Sequence, residues 1–285
     1  MRFNKVTIIG VGLIGGSLAK VLKANGLAKE IHGAGRSRET LEQALRLGVI
    51  DHMGQDSAHA VKDADLVVLA SHVGSFEQIA REIGPHLKKG AVLTDVGSVK
   101  GELVRRIEGL LPSGVHYVPG HPIAGKEKSG VAESTETLFR GARCILTPTG
   151  KTDPAALDAV KAIWTAAGAN VVIMDPDMHD HVFAAVSHLP HVAAYSMVCT
   201  VAELNAGADN YINFSGGGFR DFTRIAASSP EMWRDICLMN SKNIVELIDR
   251  YQYALNKIKK AIHREDGDRI EKFFRAASDV RKGLK

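Results

Sequence analysis

The run Gly10-Val11-Gly12-Leu13-Ile14-Gly15 constrains this chain more than any other stretch. It follows the short apolar run Val6–Ile9 and opens Leu13–Ala24, where Leu13, Ser17, Val21 and Leu22 fall on or near one helical face and Asn25-Gly26 is the stop. A second strand pattern, Glu30–Ala34, comes about twenty residues on. A strand, a G-x-G-x-x-G turn and a helix in that order open a βαβ unit that binds a dinucleotide. Gly10 permits the tight turn, Gly12 lets the backbone approach a pyrophosphate, and Gly15 lets the helix pack closely on the strand. The pyrophosphate then rests on free N–H groups at the positive end of the helix dipole. Gly10, Gly12, Leu13, Ile14 and Gly15 are therefore the expected cofactor-binding residues.

The second strand ends in Gly33-Ala34-Gly35-Arg36-Ser37. An NAD-binding unit places a carboxylate at this tip for the ribose 2′-OH; here the position falls on Gly35. Without that carboxylate a 2′-phosphate meets no repulsion, Arg36 can pair with it bidentately and Ser37 can donate to it. We expect NADP, with NAD as the alternative. The bland alternative is a solvated Arg36 and a Ser37 that only caps the next helix.

Downstream, helix patterns at Arg38–Leu47, Phe76–Ile83 and Gly101–Leu111 alternate with strand patterns at Leu66–Ala70, Ala91–Thr94 and Tyr117-Val118. From Cys144 the alternation repeats: a strand at Cys144–Thr147, a helix from Asp153-Pro154 to about Ala167, a strand at Asn170–Met174. This predicts an α/β fold with a Rossmann-like, doubly wound parallel sheet. After Asp175-Pro176 only helix signals remain, at Met178–Ser187, Val192–Asn205, Pro230–Leu255 and Arg269–Arg281. We expect residues 1–175 to bind the dinucleotide and residues 176–285 to form an all-helical domain for substrate and dimerisation. The helical part carries more apolar face than it can bury alone, which predicts a homodimer; the alternative is that these faces fold back on the first domain.

Composition closes off other classes. Hydrophobic residues at 45% and charged residues at 24% describe a globular chain, not a disordered one. A net charge of +4 is too weak to argue for nucleic acid and suits a small anionic ligand. Cys144, Cys199 and Cys237 are odd in number and far apart, which argues against a disulfide framework or structural zinc and fits a reducing, cytoplasmic setting. No uninterrupted run nears the ~20 apolar residues of a membrane span. Val6–Leu13 is not a signal-peptide core, since its glycines belong to the turn and no cleavage site follows.

Four further stretches are too polar and Gly-rich for ordinary core: Asp95-Val96-Gly97-Ser98-Val99-Lys100, the run Gly120-His121-Pro122-Ile123-Ala124-Gly125-Lys126-Glu127-Lys128-Ser129-Gly130, Ser187-His188-Leu189-Pro190-His191, and the run from Gly216 to Ala226. With the N-terminal fingerprint, this ordered set resembles the prephenate dehydrogenase family of tyrosine biosynthesis, also called arogenate or cyclohexadienyl dehydrogenases. The resemblance runs over nearly the whole chain, without the regulatory domain or chorismate mutase extension of some members. It implies oxidative decarboxylation: a hydride leaves C4 of a 4-hydroxycyclohexadiene for the nicotinamide, CO2 departs and the ring becomes aromatic. Prephenate and arogenate differ only in a keto against an amino group, and no residue decides between them.

The resemblance also implies roles. His121 matches the proton acceptor for the 4-hydroxyl, a task suited to neutral imidazole near pH 7. Ser98 is expected near the hydroxyl and the nicotinamide; otherwise it is a helix N-cap. Arg224 matches the arginine that grips a substrate carboxylate, with Arg220 expected on Asp221 or in solvent. His191 matches a substrate hydrogen-bonding position, Glu127 one that tunes or gates the pocket, and Lys126 lies where members vary. Trp233 matches too, but reads as core. Asp177, His179, Asp180, His181, His188 and His191 look like a metal cluster, yet lack HExxH or zinc spacing, so we expect no metal. His179 and Asp180 are read instead as an ion pair bracing the domain junction. Rival readings are a β-hydroxyacid dehydrogenase or imine reductase, the former expected to carry a catalytic lysine in a sequence setting that Lys242 and the other helix-borne lysines lack, and a non-catalytic NADP(H) sensor, which leaves Ser98, His121 and Arg224 without a purpose.

Overall fold

The apolar runs of the first 120 residues become strands and helices in strict alternation: β1 (Phe3–Ile9), α1 (Leu13–Ala24), β2 (Ala28–Ala34), α2 (Arg38–Arg46), β3 (His52–Gly54), α3 (Ser57–Ala60), β4 (Leu66–Leu69), α4 (Phe76–Ile83), β5 (Val92–Asp95), α5 (Gly101–Leu110) and β6 (His116–Val118). This computed structural model describes residues 2–126, 128–204 and 210–284. The six strands pair in parallel in the order β3-β2-β1-β4-β5-β6. The order reverses between β1 and β4, which opens a crevice beyond their carboxyl ends. β4 reads as four apolar residues in a row because both faces are covered and all four are buried. One face carries Ile8, Leu18 and Leu22 with Trp164 edge-on to Phe139, centroids 5.1 Å apart; the other carries Val67, Phe76 and Ile107.

The next strands do not extend this sheet, contrary to the simple repeat read from Cys144 onward. β7 (Gly120–Pro122), β8 (Arg143–Leu146) and β9 (Asn170–Ile173), with α6 (Pro154–Ala166) between the last two, make a separate three-stranded sheet in which β7 is antiparallel to β8. His121 therefore sits in a strand, opposite Ile145, and not in a loop. Three residues with Gly and Pro at the ends carry no strand signal, and Pro122 is tolerated because β7 is an edge.

In the helical half, α7 (Pro176–Phe183), a π turn over Ala184–His188 and α8 (Leu189–Leu204) run on as one helix. The expected break at Pro190 is absent. Pro190 lacks an N–H and its ring crowds the carbonyl four residues back, and the widened π turn absorbs both defects. Asn205, expected as this helix's last residue, lies outside the described residues. By length and composition Pro176–Leu204 is apolar enough to cross a membrane, which a search for uninterrupted apolar residues misses. We read it as the spine of the helical half, because its Asp180 and His179 are buried against the nucleotide-binding half. α9 (Gly217–Thr223) is followed by α10 (Pro230–Met239), α11 (Ser241–His263) and α12 (Gly267–Lys282). The single helix expected over Pro230–Leu255 is thus two, parted at Asn240, whose side chain is used elsewhere. Trp233 and Ile236 of α10 anchor this half on the second core face.

Candidate active site

The glycines of the first turn divide the work as their backbone surroundings require. A Cβ on Gly10, which has φ +100°, would lie 2.5 Å from the Ala70 carbonyl carbon, and one on Gly15 would lie 2.3 Å from the Gly10 oxygen. At Gly12 a Cβ would meet nothing within 4 Å. The cradle is therefore closed where strand, helix and turn meet and open where a ligand would lie. α1 starts with no side-chain cap and no acidic residue in its first turn, which leaves the N–H groups around Leu13 and Ile14 to an anion. These residues fit a dinucleotide pyrophosphate. At the tip of β2, Arg36 is exposed and its carbonyl accepts from Gln55 Nε2 at 2.9 Å. Ser37 caps α2, its Oγ accepting from Thr40 N at 3.2 Å, and its own O–H remains a donor. The cap and the ligand role are compatible.

His121 is 8% exposed at the carboxyl edge of the large sheet, where a Cβ on Gly120 would come within 2.9 Å of the Asp95 carbonyl oxygen. Its Nδ1 lies 2.8 Å from His179 Nε2, and His179 Nδ1 lies 2.8 Å from Asp180 Oδ1. A carboxylate only accepts, so His179 donates from Nδ1 and its Nε2 accepts. His121 must then donate from Nδ1, which leaves its Nε2 lone pair as a base. Phe183 packs on both rings, with centroids 4.9 Å and 4.5 Å away. Burial, then the neighbouring His179, Lys100 and His188, hold the His121 pKa well below the usual imidazole range. Burial also lowers His179, against the opposing pull of Asp180. The expected His179–Asp180 ion pair is thus a hydrogen bond to a neutral ring. It does brace the junction, because Asp180 Oδ1 also accepts from Lys100 N at 2.8 Å.

Lys100 is one of the most buried side chains, and its Nζ donates to Asp95 Oδ1 at 2.6 Å and to the Gly97 carbonyl at 2.7 Å. Asp95 Oδ2 accepts from Tyr117 Oη at 2.7 Å, and burial raises that phenol well above its usual range. These bonds hold the turn that carries Ser98. Ser98 is half-buried and does not cap α5, whose N-cap is Lys100; the N-cap alternative is corrected. The His188 ring hydrogen-bonds the Ser98 backbone, and burial brings its pKa down to about 4. Asn240 Nδ2 lies 2.8 Å from the Asp180 carbonyl and 3.1 Å from His188 Nδ1, which explains the break between α10 and α11.

His191 Nδ1 donates to the Ser187 carbonyl at 2.9 Å, so its Nε2 carries the lone pair. Trp233 stacks on this ring at 3.7 Å and 22°, and its buried indole N–H has no hydrogen-bond partner among the described residues. It belongs to the core, as its helical spacing implies, and it also stacks on the candidate site residue His191. The Arg224 charge is felt at His191, lowering its pKa behind the larger effect of burial. Arg220 contacts Ser215 Oγ at 3.4 Å, not Asp221. Lys126 is exposed and donates to the Glu133 carbonyl at 2.8 Å; Glu127 lies outside the described residues. The six residues that look like a metal cluster face different ways: Asp177 takes Arg105 through two bonds of 3.0 Å, while His179 turns inward. Nothing in the local residue pattern marks Lys100 or Asn240 as organisers, or pairs His179 with a histidine 58 positions earlier.

Comparisons with known proteins agree with this arrangement. Residues 18–173 match the prephenate dehydrogenase nucleotide-binding domain and residues 175–276 the prephenate dehydrogenase dimerization domain. The chain is 39% identical to prephenate dehydrogenase of Bacillus subtilis over 99% of its own length and 76% of the relative's. It is 35% identical to cyclohexadienyl dehydrogenase of Zymomonas mobilis, over 99% and 97%. The crystal structure of prephenate dehydrogenase from A. aeolicus, in complex with hydroxyphenyl propionate and NAD+, superposes with a TM-score of 0.94 at 39% identity, covering 100% of this chain and 99% of that one. With both halves matched by this family's models and relatives aligned over nearly its whole length, the chain belongs to the prephenate dehydrogenase family.

Proposed function

We propose that this protein oxidatively decarboxylates prephenate to 4-hydroxyphenylpyruvate in tyrosine biosynthesis, acting as a cytoplasmic homodimer. The observation that carries this reading is the chain His121–His179–Asp180, which leaves a desolvated, neutral imidazole with its Nε2 free to take a proton. Residues 1–175 bind the cofactor through Gly10, Gly12, Leu13, Ile14 and Gly15. Residues 176–285 complete the site and the dimer, for which exposed Phe214, Leu238 and Val280 offer apolar surface. The nicotinamide, when bound, supplies the hydride acceptor. His121 Nε2 takes the proton of the 4-hydroxyl as C4 is oxidised, and His179 steadies the imidazolium so formed. Ser98 orients the hydroxyl. Arg224 pairs with a carboxylate, and His191, backed by Trp233, hydrogen-bonds the substrate. By the family resemblance, Glu127 tunes or gates the pocket and Lys126 lies where members vary. Phe183 keeps water from the base. We propose NADP as the preferred cofactor, on the lack of a carboxylate at Gly35 and the presence of Arg36 and Ser37. A second reading, arogenate as substrate, is favoured by the cyclohexadienyl dehydrogenase relative.

The test is reduced-cofactor formation by purified protein with prephenate or arogenate, each against NADP+ and NAD+. We expect turnover with prephenate and NADP+. Faster turnover with arogenate replaces the substrate, and a preference for NAD+ removes the role of Arg36. No turnover in any of the four mixtures, from folded protein that binds cofactor, overturns the assignment.

A further inference from the structure

A second group of chemically capable side chains lies at the edge of the large sheet, away from the proton relay. His32 of β2 and His52 of β3 are direct register partners, and Glu30 precedes His32 by two residues. Strand side chains alternate, so all three project from the same face. Glu30 Oε1 lies 3.4 Å from His32 Nε2, and Glu30 Oε2 lies 3.7 Å from His52 Nε2. The three donor atoms fall within 4.8 Å of one another, and the two rings are tilted with centroids 4.5 Å apart. One carboxylate thus lies within reach of two imidazole nitrogens.

We propose that Glu30, His32 and His52 bind one divalent transition-metal ion of the zinc class. A tetrahedral ion with bonds of about 2.0–2.1 Å holds its donors about 3.3 Å apart, close to the two measured separations. Two imidazoles and one carboxylate select zinc, copper or nickel over magnesium or calcium, which take oxygen donors, and leave a fourth position for water. His32 Nε2 is buried, and among the described residues it has only the long 3.4 Å approach of Glu30 Oε1 and no well-aligned hydrogen bond, an uncommon state for a buried ring nitrogen. Burial, then Lys5, lowers the His32 pKa, against the opposing pull of Glu30. The Lys5 ammonium is itself drawn off to the Lys62 carbonyl at 2.6 Å.

The ion would clip a weak edge. β3 has three residues and pairs only with β2. Directly after it, Gln55 donates to the Arg36 carbonyl at the tip of β2. Fixing β3 therefore also fixes the turn that carries Arg36. The competing account is that Glu30 only neutralises protonated histidines and no metal is held.

Untagged protein, stripped with chelator, is titrated with Co2+, whose visible absorption reports tetrahedral coordination, and then with Zn2+. We expect one Co2+ per chain, displaced by Zn2+, and a Tm that rises with Zn2+. His52→Ala should abolish both effects, and Glu30→Gln should weaken binding by about tenfold or more. The His52 side chain is 57% exposed, so its replacement spares the fold, which circular dichroism and dinucleotide binding verify; His52→Gln gives a second check. No absorption in the wild-type protein overturns the proposal. So does equal binding by His52→Ala, which would put the ion on other histidines.

Discussion

The two halves of this chain bury themselves in different ways. In the nucleotide-binding half, strands such as β4 are covered on both faces by helices of the same half. In the helical half, the sixteen residues of α8 bury only Ala194 and α12 buries none. The first half is covered mainly by its own helices, with Trp233 and Ile236 of α10 added to one face. The second is completed on one side by the first and leaves apolar residues outward. The seam between them differs again. Cohesion alone calls for leucine there, yet His179, Asp180, His188, Lys100 and Asn240 fill it, all buried and all hydrogen-bonded. Buried polar groups cost free energy even when paired, so the seam is organised for chemistry more than for adhesion.

That contrast can be broken most directly at the base itself. His121→Asn should bind cofactor normally and lose about 10²–10⁴ in kcat; equal turnover would remove His121 from the chemistry. If the helical half sets the base, Asp180→Asn should lower kcat by at least about tenfold. It should also move the acidic limb of the kcat/KM profile to lower pH, because the imidazolium loses its carboxylate. A purely structural role would leave that limb in place.

The seam should also be sensitive to acid. His188 titrates at about 4 in the folded chain against 6.5 for a free ring, and His121 and His179 are lowered in the same direction. As pH falls below 6.5 the unfolded chain takes these protons first, so stability is full above 6.5 and drains away toward pH 4. His188 alone accounts for about 3 kcal/mol. A flat Tm from pH 7.5 to 5 would contradict the burial of these rings.

Smaller effects sharpen the outer parts of the helical half. Arg224→Ala should raise the substrate KM by about tenfold to a hundredfold, the worth of a charge-assisted hydrogen bond, with kcat nearly kept. An unchanged KM would move that role to Arg220. Leu238→Asp should halve the mass measured by light scattering and change cofactor affinity little; an unchanged dimer would place the interface elsewhere.

Much of this was legible in the residues, for local reasons. α1 runs Leu13–Ala24 as its spacing predicts, and Asp153-Pro154 and Ser229-Pro230 start helices through side-chain caps at Ala156 N and Met232 N. What escaped is what depends on distant contacts. β7 looks like loop because Gly120 and Pro122 flank its one informative residue. Pro190 looks like a break because nothing local announces a π turn. Asn240 ends a helix through bonds to residues more than fifty positions away. The motif around His121 pointed to a base, but the ring that fixes its tautomer came from a helix already read as a brace.

That brace has a consequence for motion. Asp180 approaches the start of α5 so closely that a Cβ on Gly101 would fall 2.6 Å from its Oδ2. The same carboxylate receives the Lys100 N–H and orders His179. The His121–His179 contact spans the two halves, so parting them would also part the proposed base from the ring that sets its tautomer.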